Sequence, residues 1–246
     1  MKSSNPTYGR NAIARLASSD VKDGTVMSLQ GVAKKAFVLL VVVLISAAYT
    51  WRTAALHGVD AITGPAVLGC IGGLVLGIAT IFVPSMAPIS APLYAVLEGL
   101  AIGAISYWTN VRYHGIPLQA AVATFGITAV CFGLFASGRI EVSESFAEKV
   151  AIGIIGLLVV YLLRFTLVLA GVPLGTTMNQ GVFGFVVNAA SITLAVMCLF
   201  VDFAEIDSAR KEKLSAKTEW YFAFSVLVTI IWMYLAILRM MRRLRR

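Results

Sequence analysis

The chain predicts an all-α, polytopic membrane bundle of about seven transmembrane helices, and three observations lead to it. Of its 246 residues, 59% are hydrophobic and only 13% charged, and the mean hydropathy of +0.87 lies outside the range of ordinary soluble domains. The charges gather in the first 35 residues, near residues 202–219 and at the extreme C-terminus. The apolar runs between them are nearly charge-free and each about 20 residues long, the length that crosses roughly 30 Å of hydrocarbon at 1.5 Å per residue.

Residues 1–35 mix small, polar and basic types and are too poor in large apolar residues to build a core, which predicts a cytoplasmic tail ahead of a transmembrane domain over 36–246. No small-residue cleavage site closes the first apolar run, so the first helix is expected to stay as an uncleaved anchor. The runs fall near 36–56, 62–83, 90–110, 117–137, 150–170, 182–203 and 220–240. Pro84 and Pro88, Gly115 and Pro117, and Gly171 and Pro173 punctuate the short connections, which place successive helices side by side. Helices satisfy their own backbone in lipid, and the alternation of a β-barrel strand is absent.

The formal net charge of +8 is not a nucleic-acid footprint, because the basic residues flank apolar runs and no recognition motif lies among them. They read instead as flanks of membrane spans, and the lipid bilayer is the expected partner. With the N-terminus inside, Lys and Arg divide 12 inside to 7 outside, Arg164 within a span counting to neither. Seven crossings then put the cluster RMMRRLRR outside, whereas a last segment that re-enters gives 17 to 2; the composition favours neither. The expected location is a cell membrane, crossed several times.

Cys70, Cys131 and Cys198 lie in three different runs with no metal-ligand spacing and read as packing residues. His57 and His114 fall at helix ends. No Gly-x-Ser-x-Gly turn, His-Glu-x-x-His motif or mid-span histidine is present, so an enzyme is not expected. A retinal protein is not expected, because it would want a lysine in the last helix and residues 220–238 contain none. No cofactor is expected.

Gly69, Gly73 and Gly77 recur every four residues on the second helix, with Gly99 and Gly103 on the third, a pattern for close helix packing. Ionisable groups inside spans are more informative, because a charge near the bilayer centre costs a few kcal/mol even on the lenient insertion scale. Glu98 sits mid-run in LYAVLEGLAIGAIS and must be protonated, paired or facing a wet cavity. Arg164, near the end of the fifth run, either snorkels to the interface or neutralises a carboxylate. Asp202, in CLFVDFAEID, is either a simple end-of-helix carboxylate or a titrating group. Glu219 opens the seventh run beside Trp220 and Tyr221, where the helix dipole favours it; it is also a candidate charge partner.

The segments SAPLYAVLEGLAIGAIS, GIPLQAAVATFG and EWYFAFSVLVTIIWMYLAILRMM, in that order, with NPTYGR near the start and VDF in the sixth run, resemble the bacterial Bax inhibitor-1-like membrane proteins. The resemblance implies six helices around a central, partly polar seventh. It also implies a pH-sensitive calcium leak controlled by two aspartates, on the sixth and seventh helices, that share a proton. Asp202 matches the first of these. Thr229 stands where the second would fall and cannot titrate, so the two-aspartate latch is incomplete here, and Glu98 is a candidate replacement from the third helix. Calcium would then be a transported ion rather than a resident metal. Some bacterial relatives instead bind and restrain a membrane-anchored protease, which offers a second role resting on a partner surface and the polar tail.

Overall fold

The computed structural model describes residues 26–138, 142–171 and 182–245. Most of the expected tail, residues 1–25 with its NPTYGR segment, lies outside the described residues, as does Pro173. Seven helices long and apolar enough to cross a membrane follow one another: α1 (Leu29–His57), α2 (Thr63–Phe82), α3 (Ala87–Arg112), α4 (Ile116–Ala136), α5 (Glu144–Leu169), α6 (Val182–Lys211) and α7 (Glu219–Leu244). Single 3₁₀ turns join α1 to α2, α2 to α3 and α6 to α7.

Local chemistry explains where they start. Ser28 caps α1, its Oγ accepting from Gly31 N at 2.9 Å, so the helix begins seven residues before the apolar run and contains Lys34 and Lys35. Gly115, at φ 80, turns the chain into α4 in a left-handed conformation that glycine adopts freely, and its N–H donates to Asn110 Oδ1 at 2.9 Å. Ser143 caps α5 through Phe146 N. At the other end of the chain, α6 outlasts its apolar run by eight residues. Asp207 ties that extension together, pairing with Arg210 and Lys211 one turn on, each at 2.7 Å.

Contacts sort the described residues into two units. In the unit of residues 26–108 and 205–227, the glycines of α2 and α3 set the packing. A Cβ on Gly69 would overlap the Leu97 carbonyl and come within 2.8 Å of Ala101 N, so α2 and α3 meet backbone to backbone. Gly99 and Gly103 do the same for α1, facing Val43 and Ala47. Trp51 and Tyr107 meet edge to face at 5.4 Å. In the unit of residues 109–204 and 228–245, Phe203 of α6 packs against Phe132 and Phe135 of α4, and Gly153 of α5 admits Leu194 of α6.

Burial is uneven among the helices. In the most apolar stretch of α7, 61% of residues are buried, and 56% in α3, against 22% or less in the other five. The seventh helix is thus the most buried of the seven. Exposed side chains such as Leu68, Ile71 and Leu74 on α2 are surface that acyl chains solvate as readily as protein does.

Gly69→Val should lower stability by about 1–3 kcal/mol, because neither backbone it meets can yield. Gly126→Val on α4, where nothing lies within 4 Å, should leave it unchanged. Unfolding midpoints in detergent check the pair, and equal effects would count against the backbone contact between α2 and α3.

Candidate functional site

A carboxylate within an apolar helix requires a hydrogen-bond donor, and the structure supplies one to each of the three that the sequence singles out. Asp202 is 6% exposed on α6, and Thr229 is 4% exposed on α7. Thr229 Oγ1 donates to Asp202 Oδ2 at 2.7 Å. With that hydrogen spent, the Thr229 oxygen is left to accept from the Cys198 thiol, 3.7 Å away. Asp202 does not close α6: the helix runs on for nine residues to Lys211, stabilised by the Asp207 ion pairs. The end-of-helix reading therefore fails, and Asp202 is an interior carboxylate facing the seventh helix.

Glu98 lies near the middle of α3 in the other unit. Its donor is the hydroxyl of Tyr94, one turn earlier on the same helix. Space for the carboxylate comes from α2, where a Cβ on Gly73 would sit 2.9 Å from Glu98 Oε1. Tyr94 is itself held edge to face by Phe224 at 5.0 Å. Glu98 and Asp202 thus belong to different units, each with a hydroxyl of its own.

Glu219 opens α7 as expected and is 5% exposed. Its Oε2 pairs with Lys35 Nζ at 2.6 Å, and its Oε1 accepts from Ser28 N at 2.8 Å and Ser28 Oγ at 3.3 Å. Lys35 also donates to the Ala216 carbonyl at 3.2 Å and lies 5.5 Å from the centre of the Trp220 ring. A Cβ on Gly31 would overlap the Glu219 carboxylate and force it to shift. Met27 N donates to Leu214 O at 2.8 Å and extends the junction along the backbone. The start of α1 is therefore clamped to the start of α7. Ser28, separated from Glu219 by 191 positions, carries no signal that sequence reasoning could have found.

Arg164 is not brought to any carboxylate. It is exposed on α5, five residues before the helix ends, and makes no ion pair among the described residues. Its long side chain is placed as a snorkelling arginine would be.

Seven apolar helices, with interior carboxylates each held by a hydroxyl or an ammonium, define a multi-pass helical membrane protein. The profile of the family described as Bax inhibitor 1 like matches residues 4–246, and the chain belongs to that family. No curated protein and no solved structure matches it.

The clamp makes a quantitative prediction. In a double-mutant cycle, Lys35→Met and Glu219→Gln should couple by roughly 1–3 kcal/mol, since each single change leaves a partly buried partner behind. Additive effects on the unfolding midpoint would show that the pair contributes nothing beyond its separate members.

Proposed function

We propose that the protein is a non-enzymatic cation leak of the Bax inhibitor-1 type in a bacterial inner membrane, passing calcium slowly under the control of protonation at Asp202. The observation that supports this most is the buried Asp202–Thr229 hydrogen bond between α6 and α7. A buried carboxylate in such a place has two states of very different cost. Ionised, it needs the Thr229 donor and attracts a cation; protonated, it becomes a donor itself and the reason for the Thr229 contact in its present direction disappears. Proton uptake therefore bears directly on the contact between two neighbouring helices. Thr229 cannot share a proton as a second aspartate would, so Asp202 alone carries the response.

Liposome flux tests this reading. Calcium flux should differ several-fold between pH 6 and pH 8, and Asp202→Asn should abolish the difference. Thr229→Asp, which sets two carboxylates side by side with one proton between them, should restore the family's pair and move the response to higher pH. Equal flux from unmodified protein and Asp202→Asn across that range would remove Asp202 from the mechanism.

A second reading, regulation of a membrane-anchored protease or other membrane complex, is favoured by the clamp at Glu219. By holding residues 26–28 against the segment before α7, it gives the preceding tail a fixed point of departure. Removal of residues 2–25, which spares Val26 to Lys35 and hence the clamp, should then abolish partner capture without changing flux. Capture that survives the deletion would rule out the tail as the determinant.

A further inference from the structure

The C-terminal half of α7 carries a strong charge imbalance that neither reading uses. From Trp220 onward the chain holds five arginines and no carboxylate side chain. Arg239, Arg242 and Arg243 are half-buried and spaced at i, i+3 and i+4, so they share one face of the helix and repel one another. Arg239 is the best defined of them. Its Nη2 donates to Tyr161 OH on α5 at 3.5 Å, and its guanidinium lies 5.9 Å from the Tyr161 ring centre.

The direction of the hydrogen bonds beyond Tyr161 can be deduced. Ser191 Oγ on α6 donates to the Val187 carbonyl at 2.8 Å, so at 2.9 Å it accepts from Tyr161 OH. The phenol hydrogen points inward, and only a lone pair faces Arg239. Three helices thus converge to orient one guanidinium, yet they accept from it only at a single long contact. Arg239 makes no ion pair among the described residues, and its Nε is buried without a hydrogen-bond partner. A guanidinium offers five donors in a planar fork, and leaving such a charge half-buried and uncompensated is costly.

The position along α7 indicates what completes it. Arg239 follows Glu219 by twenty residues, about 30 Å of helix, which is the thickness of the hydrocarbon core. If Glu219 marks one interface, Arg239 lies at the headgroup level of the other.

We propose that Arg239, oriented by Tyr161 and Ser191, binds the phosphate of an anionic phospholipid, with Arg242 and Arg243 one turn further on adding positive charge. The unesterified oxygens of a phosphodiester can accept from the guanidinium hydrogens that Tyr161 leaves unused, and they supply the missing negative charge. Tyr161 and Ser191 are positioning residues, because their own hydrogens are spent within the protein. The inference stands independently of the cation-leak reading.

Thermal unfolding of the full-length protein in neutral detergent tests it, with dioleoyl-phosphatidylglycerol, dioleoyl-phosphatidylcholine or inorganic phosphate added. Phosphatidylglycerol should raise the midpoint by about 2–4 °C more than phosphatidylcholine, and inorganic phosphate should not reproduce the gain. Arg239→Gln should abolish the difference, Arg239→Lys should keep a smaller part of it because the fork is lost, and Arg164→Gln should leave it intact. If Arg239→Gln does not fold, Arg239→Lys together with Tyr161→Phe carries the test, both expected to reduce the lipid-specific gain. Equal shifts with the two lipids, an equal shift with inorganic phosphate, or a full gain retained in the Arg239 variants would overturn the proposal.

Discussion

A carboxylate enclosed among apolar helices either meets a donor or loses its charge, and this constraint organises the polar interior of the protein. The three acids are satisfied in three different ways. Asp202 takes a hydroxyl from a neighbouring helix, Glu98 takes one from its own helix, and Glu219 takes an ammonium and a backbone N–H. These differences in partner imply differences in role. The Glu219 cluster satisfies both carboxylate oxygens and fixes two chain segments together, which suits a structural junction. Asp202 accepts from a neutral hydroxyl on a facing helix, so a change in its protonation alters a contact between helices.

Small residues make these arrangements geometrically accessible. Gly73 leaves room for the Glu98 carboxylate, and Gly31 leaves room for that of Glu219. The same glycine pattern that brings α2 and α3 together also determines where a polar side chain fits between helices. Close packing and polar burial are therefore one design feature, because a larger residue at either position would displace the carboxylate.

Much of this was legible in the sequence. Seven apolar runs gave seven helices because length and charge exclusion are local properties, and the Gly69–Gly73–Gly77 stripe identified a close helix contact for the same reason. Asp202 and Thr229 were identifiable as neighbours only through the family resemblance, since nothing in their local sequences joins them. Tyr94, at i−4 from Glu98, is a partner that helical spacing alone offers. Helix ends were less legible. The apolar pattern of α6 fades at Phe203, but ion pairing at Asp207 carries the helix on, so the end of the hydropathic run precedes the end of the helix. Lys35 and Glu219 were both visible as charges at span ends, yet their pairing depends on tertiary structure that no spacing rule encodes.

The arginines of α7 bear on the orientation of that helix in the bilayer. The positive-inside count is divided because the C-terminal cluster is opposed to the tail if α7 crosses completely. The helix is continuous over 26 residues, about 39 Å, long enough to cross. A cluster whose Arg239, oriented by Tyr161 at the headgroup level, binds lipid phosphate contributes to anchoring whichever leaflet it meets. Its charge then need not be read only as a topology signal, since the same residues have a local electrostatic purpose at the end of the span.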